Sequence, residues 1–175
     1  KEAFNIDGLG KKVIDQFWEL NLIKKPSDIF KINYSKIKNL EGWGELSIKN
    51  LQTAIEKSKN IDFDRFVFSL GIRHIGQENA KILASFFKNI KKFSELFHEN
   101  KRKKILINLL DLDGIGATQI ESINNFFIKK KNIEIVQGLI ENLSIKNFKI
   151  KNKSGKFANK TIMFTGGFSK MSRSE

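Results

Sequence analysis

The sequence predicts an all-α domain built from four tandem helix–hairpin–helix units, and three observations lead there. A pattern of two small or turn-forming residues around one apolar residue occurs four times: Ile6-Asp7-Gly8-Leu9-Gly10, Leu40-Glu41-Gly42-Trp43-Gly44, Ile72-Arg73-His74-Ile75-Gly76 and Leu112-Asp113-Gly114-Ile115-Gly116. Around the last glycine of each copy, the positions four and one before it, and four and seven after it, are apolar in all sixteen cases. Those after it are Ile14 and Phe17, Ile48 and Leu51, Ala80 and Leu83, Ile120 and Ile123. In a chain that is 40% hydrophobic, chance does not give this; it is an internal repeat of one supersecondary unit. Offsets of four and seven lie on one face of a helix that begins just after the glycine pair.

The residue types fit that geometry. Glycine admits a left-handed or tight backbone that a side chain would block. The apolar residue between the glycines plugs the junction of two helices. The turn then presents backbone N–H groups at a helix N-terminus, where the helix dipole also favours negative charge. A phosphate fits there with no side chain reading a base. The plainer reading, a turn that only links two packed helices, competes for any single copy; four in-phase copies on a basic chain favour nucleic-acid binding.

In chain order, Lys1 leads into a helix over 11–21, closed by Pro26, with Ser27 as N-cap of a short helix through Asp28-Ile29-Phe30. The second hairpin opens a helix over 45–59. Asp62 starts the next, with Phe63, Phe66, Val67 and Leu70 on its buried stripe and Gly71 at its end. The third hairpin feeds a helix over 77–88, followed by two short amphipathic helices over 91–98 and 101–110. The fourth opens a helix over 117–130, and a last helix covers 133–143. Trp18 and the phenylalanines are assigned to the core, and Trp43 to the plug of its hairpin. From Ser144 to Asn159 the pattern decays into Lys, Asn, Ser and Gly, read as a flexible basic tether. Lys160-Thr161-Ile162-Met163-Phe164-Thr165 then reads as a buried strand, with Gly166-Gly167 and a helix start near Ser172 after it. The domain boundaries are 1–145, 146–159 and 160–175.

Composition narrows the classes. There is no cysteine among 175 residues, so neither disulfides nor thiolate zinc sites are available, and the two histidines, His74 and His98, are too few for a metal centre. No apolar run approaches membrane-spanning length and no signal peptide is visible, so the expected location is cytoplasmic. The chain opens on Lys1 rather than methionine, which points to a piece of a longer protein. Net charge is +13, of which six units come from the lysines of residues 146–160 alone. Only four of 32 basic residues are arginine, consistent with an AT-rich coding bias, so charge by itself is weak evidence for a nucleic-acid partner.

At this point the chain resembles a known family, the bacterial NAD-dependent DNA ligases, in their C-terminal half. The resemblance rests on FNIDGLGKKVIDQF at 4–17, LEGWGELSIKNLQTAIEKSK at 40–59, FVFSLGIRHIGQENAKILA at 66–84 and DLDGIGATQIESINNFF at 111–127. KTIMFTGGFSKMSRSE at 160–175 resembles the opening of a BRCT domain, an α/β module truncated here to about its first twenty residues. The resemblance implies a part that grips nicked duplex DNA from the minor-groove side, within a monomeric enzyme that uses NAD, magnesium and zinc. It also implies that this segment does not ligate. The family's adenylated lysine lies in Lys-x-Asp-Gly, whereas Asn5 and Asp111 stand two residues before the aspartates of Asp7-Gly8 and Asp113-Gly114. The family's four-cysteine zinc module is absent too. No catalytic and no metal-ligating residue is therefore assigned.

The expected DNA contacts are Gly8, Gly10, Lys11, Lys12, Gly42, Gly44, Arg73, His74, Gly76, Gly114, Gly116 and Thr118. Lys11 and Lys12 follow the first hairpin, and Arg73 and His74 lie in the third, so charge favours these two. His74 stands where the other copies have glycine, and either donates to phosphate or serves the turn. The runs Lys101-Arg102-Lys103-Lys104 and Lys129-Lys130-Lys131 either widen the electrostatic footprint or form ordinary solvated faces. Two other functions compete: a tandem hairpin domain of an excision-repair nuclease, and a helical protein-interaction domain with no nucleic-acid role.

Overall fold

In the computed structural model, which describes residues 3–149, each of the four patterns ends where a helix begins. Helix α1 (Lys11–Glu19) follows Gly10, and α2 (Glu45–Ser58) follows Gly44. Strand β1 (Asn60–Asp62) leads directly into α3 (Phe63–Ser69), and α4 (Gln77–Phe87) follows Gly76. After a single turn, α5 (Ile90–Phe93), come α6 (Glu99–Leu109), α7 (Ala117–Ile128) after Gly116, α8 (Lys130–Ile140) and β2 (Ser144–Lys146). Three 3-10 segments, Pro26–Lys31, Tyr34–Lys36 and Ser94–Phe97, join these elements. The all-α fold class expected from the repeats is the one observed.

The repeats converge on one core because their +7 residues all point into it: Phe17, Leu51, Leu83 and Ile123 are buried. The centre is aromatic. Phe93 meets Phe63, Phe87 and Phe127 edge to face at 5.7, 5.2 and 5.6 Å, the arrangement that sets the positive rim of one ring against the negative face of the next. Gly138 of α8 admits the Pro26–Lys31 segment, since a Cβ there would lie 3.0 Å from the Ser27 hydroxyl.

Several local expectations are corrected. Ser27 is not an N-cap; it is buried, and Lys25 caps a 3-10 segment whose first residue is Pro26. Proline suits that position because the N–H it lacks would have no partner there. The Asp28 carboxylate instead accepts from the Lys24 and Lys25 amides at 2.9 and 3.1 Å. The helix expected over 91–98 is the single turn α5 followed by the 3-10 segment Ser94–Phe97. The break between α7 and α8 falls at Lys129, in extended conformation, two to three residues earlier than the helical periodicity suggests. Trp18 is not core: it is 59% exposed, and with Ile14 it forms a strip beside, rather than on, the stripe that buries Phe17.

The folded part also extends further along the chain than expected. Ser144–Lys146 pairs in parallel with Asn60–Asp62, in the register Asn60↔Ser144, Ile61↔Ile145 and Asp62↔Lys146. The Ser144 amide donates to the Lys59 carbonyl and the Phe148 amide to the Lys88 carbonyl, both at 2.8 Å. Lys146 thus belongs to the folded domain. The basic segment from residue 150 onward and the expected strand over 160–165 lie outside the described residues.

Candidate nucleic-acid interface

The four turns are built alike. In each, the apolar plug's amide donates to the carbonyl three residues back: Leu9 to Ile6, Trp43 to Leu40, Ile75 to Ile72 and Ile115 to Leu112, at 3.0–3.2 Å. In each, the capping glycine's carbonyl accepts the first helical bond, from Ile14, Ile48, Ala80 and Ile120, at 2.9–3.1 Å. The amides of the next residues face outward, as the first N–H groups of any helix must.

The two glycines of a turn do different work. The first residue of the pair is left-handed in every copy: Gly8 at φ +80°, Gly42 at +83°, His74 at +61° and Gly114 at +87°. That is the conformation for which glycine is suited. His74 therefore serves the turn, and histidine is among the side chains that tolerate this region better than most. The second glycine has an ordinary extended backbone, with φ of −80° at Gly10, −97° at Gly44, −80° at Gly76 and −107° at Gly116. A Cβ built at Gly10, Gly44 or Gly76 would meet nothing within 4 Å. Neither backbone strain nor crowding inside the protein explains glycine at these three positions.

All twelve expected contact residues, Thr118 included, are exposed. The turns separate into two kinds by what occupies the capping amide. At Gly44 the amide donates to Ser47 Oγ at 3.0 Å, and at Gly116 to Gln119 Oε1 at 3.0 Å. Among the described hydrogen bonds, the amides of Gly10 and Gly76 have no acceptor, and the residues at the equivalent offset are Val13 and Asn79. The sequence carries only part of this difference: Val13 marks hairpin 1 as open, but Asn79 of hairpin 3 is polar like Ser47 and Gln119, and only the structure shows it turned to the Gly114 carbonyl instead.

Cationic side chains divide the turns the same way, although hairpin 1 carries Asp7 where hairpin 4 carries Asp113. Hairpin 2 has Glu45 at the first helical position, 3.2 Å from Lys38. Asp111 and Asp113 flank hairpin 4. Hairpin 1 has no acidic residue in the first turn of α1, and Lys11 and Lys12 occupy it instead. Hairpin 3 carries Arg73, while Glu78 of α4 is engaged by Lys81 at 2.6 Å. That hydrogen bond, reinforced by the carboxylate's charge, raises the pKa of the Lys81 ammonium. None of the ion pairs among the described residues involves Lys11, Lys12 or Arg73.

The lysine-rich runs contribute less than their composition suggests. Arg102 is buried, so it is not part of any footprint; it donates to Asn124 Oδ1 and to the carbonyls of Leu96 and Phe127. Lys101 lies 3.6 Å from Glu95 and Lys103 2.6 Å from Glu99, whose pKa is lowered by that contact. Lys104 and Lys129–Lys131 are exposed.

The hairpins are held in pairs. Trp43, the plug of hairpin 2, packs on Phe17 of α1 with ring centres 5.4 Å apart, and its Nε1 donates to Gln16 Oε1 at 3.1 Å. Asn79 Nδ2 of α4 donates to the Gly114 carbonyl of hairpin 4 at 3.0 Å. Among the described residues there is no cluster of three or more metal-ligating side chains, and no helix is long and apolar enough to cross a membrane.

Comparison with known proteins agrees with this geometry. Residues 65–136, spanning hairpins 3 and 4, match the helix-hairpin-helix motif family. The whole chain is 50% identical to a DNA ligase of Pelagibacter ubique (strain HTCC1062), covering 25% of that protein. It is 39% identical to a DNA ligase of Rickettsia bellii (strain OSU 85-389) and 40% identical to one of Parvibaculum lavamentivorans, in each case over its full length. The chain spans about a quarter of the length of these relatives.

Proposed function

We propose, for a helix-hairpin-helix chain homologous from end to end to a segment of proteins named DNA ligase, that it is the part of such an enzyme that holds duplex DNA while a nick is sealed elsewhere in the protein. The observation that carries this reading is the second glycine of each turn. Four of four copies keep glycine there. At three of them the fold would accept a side chain without contact, and φ lies where any residue is at ease. A bare backbone at a helix N-terminus suits the close approach of an external anion. Amide-to-phosphate contacts position a protein on a duplex and carry no base information, so recognition is of backbone shape.

The turns are unequal in this reading. Hairpins 1 and 3 bear the phosphates, because their capping amides are open and cations stand beside them. Hairpins 2 and 4 have spent the same amide on Ser47 and Gln119, and they support their partners.

The chain's residues do not fit the cofactors of the nick-sealing reaction. It has no cysteine for a thiolate zinc site and no lysine in the Lys-x-Asp-Gly setting that accepts AMP in NAD-dependent ligases. NAD use, adenylation and nick sealing therefore belong, in this proposal, to the remainder of the parent protein.

Duplex binding by the full 175-residue chain is expected to fall steeply with salt. Each phosphate neutralised by a cationic side chain contributes about −0.9 to the slope of log K against log salt. Replacing Lys11 and Lys12 together by Ala should make that slope shallower by up to about two. Fluorescence anisotropy on intact and nicked duplexes of unrelated sequence measures both. A flat salt response of the parent chain would remove the DNA-binding reading.

A further inference from the structure

We propose that Gln16 and Asn79 are positioning residues for DNA binding: each clasps the turn of a supporting hairpin to the helix of its phosphate-bearing partner and so fixes the orientation of that helix. The inference rests on the duplex-binding reading above and extends it to two residues that face no phosphate.

Gln16 lies on α1 and accepts from Trp43 Nε1 across 27 residues of sequence; Asn79 lies on α4 and donates to the Gly114 carbonyl across 35. The chemistry fixes both orientations. An indole N–H only donates, so Gln16 must offer its oxygen, and a carbonyl only accepts, so Asn79 must offer its nitrogen. The other polar side chains at these turns, Ser47 and Gln119, close back on their own helix, whereas these two span from one hairpin to the next. Neither is buried in the core; both are half-exposed. Their targets are the working parts of the neighbouring turn: Trp43 is its plug, and Gly114 is its left-handed residue at φ +87°.

Hairpins 1 and 3 meet the phosphates in this reading, so α1 and α4, whose N-termini carry the open capping amides, must be held in the binding orientation beforehand, and hairpins 2 and 4 are what they are held against. A pair free to rock loses affinity because the ordering is then done on association. Packing alone resists this incompletely. Apolar contacts such as Phe17 against Trp43 are non-directional, whereas a hydrogen bond fixes one register.

The test is a set of four variants in the full 175-residue chain, read by duplex anisotropy with thermal midpoints measured in parallel. Gln16→Ala and Asn79→Ala are each expected to weaken binding by about threefold to tenfold through lost preorganisation. The acidic variants separate a clasp from simple charge. Gln16→Glu keeps an acceptor for the Trp43 N–H and strengthens it, so it should bind more tightly than Gln16→Ala despite its added negative charge. Asn79→Asp removes the donor and sets a carboxylate against a carbonyl, so it should bind less tightly than Asn79→Ala. Electrostatic repulsion from DNA alone would make both acids worse than alanine, and a purely structural role would follow the melting temperature instead. The proposal is overturned if folded Ala variants match the parent, or if Gln16→Glu binds more weakly than Gln16→Ala. If the parent itself shows no salt-dependent binding, it is the duplex-binding reading that fails.

Discussion

Arg102→Met should lower the thermal midpoint by about 6–12 °C, whereas Lys103→Ala, one residue away in the same basic run, should leave it nearly unchanged. Arg102 is 6% exposed and takes part in none of the ion pairs among the described residues; carbonyl and amide dipoles meet its guanidinium. Nη1 donates to the Leu96 carbonyl at 3.0 Å and to the Phe127 carbonyl at 3.3 Å, and Nε donates to Asn124 Oδ1 at 3.2 Å. Leu96 lies in the 3-10 segment Ser94–Phe97, and Phe127 is the penultimate residue of α7 (Ala117–Ile128), so the cation sits at the negative ends of two helices. The fork thus ties α6 to both neighbours. Methionine fills similar volume but leaves two buried carbonyls unmatched, at about 1–3 kcal/mol each, partly offset by no longer burying a charge. A net cost of about 3 kcal/mol corresponds to the stated shift, at about 2–4 °C per kcal/mol for a chain of this size. Arg102→Lys should recover only part of it, since an ammonium cannot reproduce the planar fork. Lys103 is exposed and its contact with Glu99 is a solvent-screened surface pair. Circular dichroism melts decide the matter. Equal midpoints for the Arg102 and Lys103 variants would mean the guanidinium is not structural, and a reduced salt slope for folded Arg102→Met would return it to the DNA footprint.

Arg102 also illustrates where the sequence was legible and where it was not. A repeat with fixed offsets encodes local geometry, so the helix starts at Lys11, Glu45, Gln77 and Ala117 could be read directly from the glycine before each. The buried +7 residues followed from helical periodicity. Arg102 could not be read this way, because Lys101-Arg102-Lys103-Lys104 is uniformly basic and only the fold turns its second member inward. Trp18 failed for the opposite reason. It is apolar but lies next to Phe17 in sequence, about 100° around the helix from the buried stripe, and nothing among the described residues covers it.

Long-range pairing was the other blind spot. Ser144–Lys146 reads as polar and featureless, yet it pairs with Asn60–Asp62, more than eighty residues earlier. A three-residue strand carries too little pattern to announce itself, and only the arrival of both segments at one place makes it form. The twelve candidate contacts were legible as positions, but their inequality was only half visible. Charge pointed to hairpins 1 and 3. The occupied amides of hairpins 2 and 4 emerged from side-chain geometry at Ser47 and Gln119.

Gly10→Val combined with Gly76→Val should reduce duplex affinity by about a hundredfold, roughly tenfold per hairpin, while the helices persist. A charge-assisted hydrogen bond contributes about 1.5–3 kcal/mol, and tenfold in affinity is about 1.4 kcal/mol, so losing one such contact per turn suffices. Valine is admissible to the fold here. Both glycines lie at φ −80°, extended backbone that β-branched residues adopt freely, and a Cβ at either meets nothing within 4 Å. The expected stability cost is about 1 kcal/mol, from a poorer N-cap. The first residue of a turn responds differently. Gly114→Val should destabilise strongly, because φ is +87°, where a β-branched residue is strained; the Ile82 Cδ1 methyl, 2.7 Å from the added Cβ, would only have to swing aside. Its loss of binding would then track loss of fold, and so would say nothing about phosphate. Gly44→Val is the decisive control. It shares the capping position, the extended backbone and the open surroundings of Gly10 and Gly76, and differs in that Ser47 already occupies its amide. It should cost as much stability as either single variant and far less affinity. If the folded Gly10 and Gly76 variants bind duplex as tightly as the parent, the turns are linkers between packed helices and nothing more. If Gly44→Val weakens binding as much as Gly10→Val, the division between open and self-capped hairpins is wrong, and all four amides face the phosphates alike.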